Sequence, residues 1–268
     1  MKGTFGFIGC GNMGGALAGA VAKTVIGKQI TLCDACTEKA EMLATQCGAR
    51  VADVQTVARE CRYIFLGVKP QGFDGLFEEI RPILKKRDDE LVLITMAAGI
   101  SISAVEKLAG SDCPIIRIMP NTPVSVGEGM ILYAANDQVS EEQIEVFQNA
   151  LSAAGILDRI PEDKIDAASA LSGCGPAFVY LFAEALADGA VECGLPRDKA
   201  MLYAAQTLSG ASKLLLTSGK HPGALKDAVC SPGGTTIAGV HALENSAFRA
   251  AAMSAVTAAY EKTLKLKK

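Results

Sequence analysis

The sequence predicts an α/β domain with a mostly parallel, doubly wound sheet, followed by an all-α domain. In the first half, short apolar runs alternate with amphipathic helical patterns, which is the rhythm of βαβ units. From Pro161 onward the strand signals disappear, and Ala and Leu recur at helical spacing. We therefore predict two domains, over residues 1–161 and 162–268.

The first half contains a regular series of predicted elements. Strands are predicted over 4–9, 29–33, 63–68, 91–97, 114–119, 130–135 and 156–160, with a short candidate at 50–51. Helices are predicted over 13–24, 38–47, 54–61, 72–84 and 101–109. Ser140 and Gln143 have the spacing of a capping box, which predicts a helix from there to about residue 154.

The second half is predicted to be entirely helical. Helices are predicted over 163–172, 176–193, 197–217, 222–229, 235–245 and 248–266. Several are apolar nearly all round, as in residues 250–256, and a small domain has little interior to cover such surface. We therefore expect burial against a second subunit, in an obligate homodimer or a larger homo-oligomer built from dimers.

A glycine-rich turn follows the first predicted strand and leads into a helical pattern. Its G-x-G-x-x-G sequence consists of Gly9, Cys10, Gly11, Asn12, Met13 and Gly14. The first glycine permits a tight turn, the second lets a pyrophosphate approach, and the third lets the helix pack close to the strand. The helix N-terminus offers free N–H groups to the phosphates. The sequence therefore predicts a Rossmann domain that binds a dinucleotide.

Asp34 ends the second apolar run, twenty residues after Gly14. This is the distance expected for a carboxylate that binds a ribose hydroxyl, which favours NADH and repels a 2′-phosphate. Thr37 and Lys39 are available to a phosphate if Asp34 turns away. We expect both NADH and NADPH to work, and Asp34→Ser to shift the preference toward NADPH.

Other candidate residues follow later strands, at the edge where an open α/β sheet binds its ligand. They are Lys69, Pro70, Gln71, Ala98, Gly99 and Asn121. Prolines on either side of Asn121 fix a rigid turn, although an ordinary loop with an Asx-turn is the alternative interpretation. In the helical half, the turn from Ser231 to Thr236 precedes a helix and can hold a carboxylate. Its alternative is a helix connection with a threonine N-cap.

The composition excludes several classes of partner. A net charge of −3 without a basic stripe argues against nucleic acid, and no charge-free apolar stretch reaches the ~20 residues of a membrane span. The chain enters a strand directly, without a signal peptide, and its nine scattered cysteines suit reduced thiols, so we expect a cytoplasmic protein. No metal motif and no nucleophile elbow occurs. Hydride transfer to a protonated imine fits a site with so little acid–base machinery.

With these residues assembled, the chain resembles the pyrroline-5-carboxylate reductase family over nearly its whole length. The stretches that carry the resemblance are 7–14, 68–71, 97–101, 117–123, 171–178 and 227–243. The resemblance implies a Rossmann domain, an interlocked helical dimerisation domain, and reduction of L-1-pyrroline-5-carboxylate to L-proline with NADPH or NADH. This reaction is the final step of L-proline biosynthesis. The family usually prefers NADPH.

The resemblance also implies roles for individual residues. The glycine turn and the strand end at Val68, Lys69 and Pro70 hold the coenzyme, and Asn121 lies by the nicotinamide. The substrate is held by Ser231, Gly233, Gly234, Thr235 and Thr236. Thr236 is nearest the ring nitrogen and is the catalytic candidate. Cys174 stands where the family usually has Ser, and a thiol is a weaker donor, so only a packing role is expected there.

Two other functions compete with this interpretation. A reductase of the β-hydroxyacid dehydrogenase kind would use a catalytic lysine; Lys164 lies in the right region, but Asp163 and Asp166 beside it indicate a solvated face. A nucleotide-sensing module would use the first domain alone. The turn from Ser231 to Thr236 argues against the sensor, because a sensor needs no second anion site.

Overall fold

The computed structural model describes residues 3–110 and 112–266. It divides into two compact units, Met1–Cys174 with Ala259–Lys268, and Gly175–Ala258. Each unit is built as one half of the sequence predicts, a sheet with helices in the first and helices alone in the second. The domain boundary between residues 161 and 162 stays a prediction.

The first unit contains an eight-stranded sheet. Its strands are β1 (Phe5–Ile8), β2 (Ile30–Cys33), β3 (Arg50–Val51), β4 (Tyr63–Leu66), β5 (Val92–Thr95), β6 (Ile115–Met119), β7 (Gly129–Ala135) and β8 (Gly155–Arg159). The strand order is β3-β2-β1-β4-β5-β6-β7-β8, and every neighbouring pair is parallel except β6 and β7. The strand order reverses between β1 and β4, which is where doubly wound sheets bind their ligands.

The helices of this unit begin within one residue of the predicted positions, and all except α1 and α6, which end three and four residues early, also end within one residue of them. They are α1 (Asn12–Val21), α2 (Thr37–Cys47), α3 (Val54–Glu60), α4 (Phe73–Leu84), α5 (Ile102–Ala109), α6 (Glu141–Ala150) and α7 (Glu162–Ser172). The capping box of α6 is confirmed by both of its hydrogen bonds, at 3.2 and 2.9 Å. Helix α1 ends three residues earlier than predicted because the hydroxyl of Thr24 binds the carbonyls of Val21 and Ala150.

The centre of the sheet is buried on both faces. Strands β1, β2, β4 and β5 are buried along their whole length. On one face Phe7 stacks on Phe65 with ring centroids 4.4 Å apart, and Phe5 stacks on Tyr63 at 5.2 Å. Apolar side chains packed on both faces hold these strands rigidly. The loops at their carboxyl ends therefore start from fixed positions.

The second unit consists of helices. They are α8 (Gly175–Glu192), α9 (Arg197–Ser218), α10 (Pro222–Ala228), α11 (Thr235–Asn245) and α12 (Phe248–Leu266), the last of which belongs to this unit as far as Ala258. The buried residues that form its interior are Ala183, Ala187, Ala200 and Ala204. Large apolar side chains are left outside, among them Leu216 at 72% exposure and Met253 at 71%. Exposed large apolar side chains in such number are typical of an interaction face.

One helical stretch has the length and composition of a membrane span. Among the residues that the structure describes, Glu162–Glu192 is the one stretch that meets this criterion, and 11% of its most apolar window is buried. A turn at Gly173 and Cys174 separates it into α7 and α8. The criterion is weak evidence because packed helices of other proteins also meet it. The absence of a membrane partner stays a prediction.

Candidate active site

The glycine turn after β1 is built by close contacts between backbones. Gly9 has a φ of +104°, and a Cβ there would lie 2.6 Å from the carbonyl carbon of Gly67, which follows β4. A Cβ on Gly14 would lie 2.0 Å from the carbonyl oxygen of Gly9. The turns after β1 and β4 and the start of α1 can approach this closely only because these positions are glycine.

Gly11, the middle glycine of the motif, faces open space. It is the N-cap of α1, and within residues 3–110 and 112–266 no atom lies within 4 Å of where its Cβ would be. The first N–H groups of the helix have no acceptor inside the helix. A phosphate can therefore approach the backbone at this point and accept hydrogen bonds from it. The turn fits a dinucleotide pyrophosphate.

The carboxylate of Asp34 is fixed against this turn. Its Oδ2 accepts a hydrogen bond from the backbone N–H of Cys10 at 2.6 Å, and its Oδ1 accepts one from Cys36 at 2.9 Å. Each oxygen keeps a further lone pair for a ligand hydroxyl. Asp34 therefore faces the turn rather than away from it.

The two thiols beside Asp34 are unreactive at neutral pH. Burial, together with the Asp34 carboxylate, raises the pKa of the Cys10 thiol to about 12. Burial raises the pKa of Cys33 to about 11, with the carboxylates of Asp34 and Asp53 adding to it. The thiolate is the reactive form, so neither residue is a nucleophile at neutral pH. Across the described part of the chain, no group of three residues could hold a metal ion.

The remaining coenzyme candidates lie at the same edge of the sheet as Gly9 and Asp34. β2, β1, β4, β5 and β6 are parallel neighbours, so their carboxyl ends share one edge. The residues that follow β4, β5 and β6 there are Val68, Lys69, Pro70, Ala98, Gly99 and Asn121. Gly99 has a φ of +76° and allows the chain to turn after β5. That these residues bind a coenzyme stays a prediction.

Asn121 has a structural task that the sequence did not reveal. It is 9% exposed, its Oδ1 accepts from the backbone N–H of Met130 at 2.9 Å, and its Nδ2 donates to the carbonyl of Ser172 at 3.0 Å. Neither bond is the local Asx-turn considered above. The side chain connects the turn after β6 to β7 and to the end of α7.

A buried ion pair beside this turn was missed by sequence reasoning. Arg117 in β6 is 3% exposed; it donates to Oδ1 of Asp166 at 2.7 Å and to Oε1 of Glu162 at 3.2 Å. Asp166 is 2% exposed, so its assignment to a solvated face was wrong. Lys164 is solvated as expected, with 67% of its side chain exposed and Asp163 at 2.9 Å. An arginine inside an apolar strand was the available signal, because a buried charge requires a partner.

The predicted substrate turn lies in the second unit. Gly233 has a φ of +69°, and the N–H of Gly234 donates to the carbonyl of Ser231 at 3.0 Å. Gly234 is the N-cap of α11, so the alternative of a threonine N-cap is wrong. Thr235 and Thr236 are exposed in the first turn of the helix. Hydroxyls beside free N–H groups at a helix N-terminus suit an anionic ligand.

A parallel sheet with a glycine turn, a fixed carboxylate and an open helix N-terminus at its switch point defines the class of dinucleotide-binding Rossmann oxidoreductases. Two family models match the chain. Residues 4–99 match the family described as NADP oxidoreductase coenzyme F420-dependent, and residues 162–266 match the family described as pyrroline-5-carboxylate reductase dimerisation.

Individual proteins also match this chain along its whole length. The chain is 41% identical to a pyrroline-5-carboxylate reductase of Escherichia coli (strain K12), with all of both chains covered. The solved structure of a pyrroline-5-carboxylate reductase from Coxiella burnetii matches with a TM-score of 0.92 at 31% identity, covering all of both chains. That of Plasmodium falciparum pyrroline carboxylate reductase with NADP bound matches at 0.85 and 32%, covering 100% and 99%. The chain belongs to the pyrroline-5-carboxylate reductase family.

Proposed function

We propose that this protein reduces L-1-pyrroline-5-carboxylate to L-proline with NADPH or NADH, the final step of L-proline biosynthesis. The observation that carries the proposal is the dinucleotide cradle of Gly9, Gly11 and Gly14 at the switch point of the sheet, in a chain of this family. When bound, the coenzyme supplies the hydride.

The chain's own part is to bind and orient. The backbone N–H groups from Gly9 to Gly14 would hold the pyrophosphate, Asp34 would hold the ribose, and the turns after β4, β5 and β6 would line the coenzyme's path. Asn121 would act by fixing the shape of its turn, since its side chain is bonded to protein on both sides.

The substrate carboxylate would be held by Ser231, Gly233, Gly234 and Thr235 at the start of α11. The hydroxyl of Thr236, in the same turn of helix, would hydrogen-bond the ring nitrogen and orient the imine carbon. Both histidines have local partners: Nδ1 of His221 accepts from Gly223, and Nε2 of His241 lies 3.0 Å from Nδ2 of Asn245. This supports a reaction in which the substrate arrives protonated rather than receiving its proton from a histidine.

A coenzyme oxidation assay tests the proposal. Purified protein should oxidise NADPH or NADH with pyrroline-5-carboxylate, and should not do so with 3-hydroxy acids or 2-keto acids. Proline-dependent reduction of NAD(P)+ at high pH should also occur, and neither a β-hydroxyacid dehydrogenase nor a nucleotide sensor would give it. No turnover of the cyclic imine from mildly acidic to mildly basic pH would contradict the proposal.

We further propose that α8 to α12 form an obligate homodimer whose two chains complete each active site, with larger assemblies built from dimers. The alanine interior of the second unit and its exposed leucines support this. Sedimentation at micromolar concentration is the test, and a well-folded monomer would contradict it. The nine free cysteines support a cytoplasmic location, where thiols stay reduced.

A further inference from the structure

We propose that the end of β2 makes this protein select NADH over NADPH, and that Asp34 is the selecting residue. The inference rests on the proposed function and deepens it. The two coenzymes differ in the group on one ribose, a 2′-hydroxyl in NADH and a 2′-phosphate in NADPH. A carboxylate at the end of the second strand accepts a hydrogen bond from the hydroxyl and repels the phosphate.

The side chain of Asp34 is held in place and does not turn away freely. Two backbone N–H groups hold its two oxygens, that of Cys10 at 2.6 Å and that of Cys36 at 2.9 Å. Both donors belong to the main chain, so neither can swing aside as a side chain can. A phosphate in this place would require the carboxylate to leave both N–H groups. Hydrogen bonds to an ionised group are the stronger kind, so this displacement is unfavourable.

A second carboxylate lies near the end of β2. The N–H of Ala52 donates to the carbonyl of Leu32 at 3.0 Å, which brings the following residue, Asp53, beside the end of β2. Asp53 caps α3 by accepting from the N–H of Thr56 at 2.6 Å. Like Asp34, it raises the pKa of the Cys33 thiol, which agrees with two carboxylates near this point.

The neighbouring helix adds charges of both signs. The first turn of α2 carries Glu38 and Lys39, both exposed, and Arg59 of α3 acts on Asp53, so two cations stand against the carboxylates of Asp34, Asp53 and Glu38. A 2′-phosphate carries close to two negative charges at neutral pH. An exposed lysine gains little from one such contact, because its charge is screened by water. The field at this end of the sheet therefore favours the hydroxyl.

Direct binding tests the inference without turnover. NADH and NADPH are titrated into the purified oligomer in the absence of substrate, and the fluorescence of the reduced nicotinamide reports each Kd. We expect NADH to bind about tenfold to a hundredfold more tightly, as a charge-assisted hydrogen bond contributes. Asp34→Ser should reverse or abolish that ratio. The matched control is Glu41→Gln, which removes one exposed charge from α2 and should leave the ratio within about twofold.

Equal binding, or tighter binding of NADPH by the unaltered protein, overturns the inference. An unchanged ratio of the two Kd values in Asp34→Ser also overturns it. An equal shift of this ratio in Glu41→Gln overturns it as well, because selection would then depend on the overall charge rather than on Asp34. Asp34→Asn is the second variant if Asp34→Ser fails to fold, because an amide oxygen can still accept from one backbone N–H. Selective NADH binding without imine reduction would contradict the proposed function while leaving this inference intact.

Discussion

The side-chain amide of Asn121 donates to the carbonyl of Ser172 at 3.0 Å while its oxygen accepts from the N–H of Met130 at 2.9 Å. One buried side chain thus holds the turn after β6 between β7 and the end of α7. Asn121→Asp keeps the shape but places an oxygen opposite the Ser172 carbonyl. We expect it to lower the free energy of unfolding by about 1–3 kcal/mol and to weaken coenzyme binding. The exposed Asn149→Asp is the control, and equal losses of stability in both variants would contradict the prediction.

Removal of one partner of the Arg117–Asp166 ion pair should strongly lower the free energy of unfolding. Asp166→Asn removes the buried carboxylate and leaves the guanidinium with the partly exposed Glu162, and we expect a loss of about 3–5 kcal/mol in denaturant unfolding. Glu162→Gln should lose less, because 32% of its side chain is exposed. In the double variant Arg117→Met/Asp166→Leu most of the loss should return. A double variant as unstable as Asp166→Asn would show that the charges do not account for the effect.

Two glycines of the same motif should respond differently to a methyl group. Gly14→Ala places a Cβ 2.0 Å from the Gly9 oxygen, so we expect at least 1–3 kcal/mol of lost stability from overpacking. Gly11→Ala meets no described atom within 4 Å and has an allowed backbone, so its melting temperature should change little. Its coenzyme affinity should fall, because the methyl group occupies the approach of the pyrophosphate. Intact affinity in a folded Gly11→Ala protein would argue against the cradle.

Thr236→Ala should impair catalysis without impairing the fold. We expect kcat/KM to fall about tenfold to a hundredfold, as the loss of one oriented hydrogen bond at a desolvated site predicts. Because Gly234 is the N-cap, the melting temperature should hold, and coenzyme affinity should be nearly unchanged. Thr45→Ala, on the exposed face of α2, is the matched control. Lost stability with intact turnover would retire the catalytic role of Thr236.

Alkaline pH should destabilise the protein through its buried thiols. Below about pH 9 the thiols of Cys10 and Cys33 are protonated in both the native and the unfolded state. Above it the unfolded chain releases these protons, while the native state keeps them toward pH 12 for Cys10 and pH 11 for Cys33. The free energy of unfolding should then fall by up to about 1.4 kcal/mol per pH unit for each thiol. Cys10→Ser should flatten this slope, and an unchanged slope would contradict the assignment.

The features that the sequence predicted well depend on residues that lie close together in the chain. The capping box at Ser140 and the glycine turn at Gly9 each depend on spacing of a few residues, and both were confirmed. The bonds of Arg117 to Asp166 and of Asn121 to Ser172 join residues 49 and 51 positions apart. Which residues form such pairs depends on how α7 packs on the sheet. The periodicity of apolar residues in the sequence does not reveal that packing.

The choice between adjacent residues was also beyond the sequence. Thr235, Thr236 and Gly234 all suit the start of a helix, and only the φ and ψ of Gly234 decide the N-cap. Likewise, spacing predicted that Asp34 binds the ribose but left the orientation of its side chain open. Of the two backbone N–H groups that fix it, that of Cys10 lies in the turn where Gly9 packs against Gly67, and that of Cys36 lies at the N-cap of α2.

A helical unit whose buried residues are Ala183, Ala187, Ala200 and Ala204 has little apolar surface to bury within its own chain. In the proposed dimer, the helical unit completes its fold only when two chains meet, so the rate of this step is second-order in chain concentration. The sheet forms within one chain, so the rate of its formation is first-order. A newly made chain therefore keeps its leucine side chains exposed for the longest time when few copies of the protein are present. Demand for chaperones per molecule should then be greatest at low expression, the reverse of what crowding of unfolded chains would give.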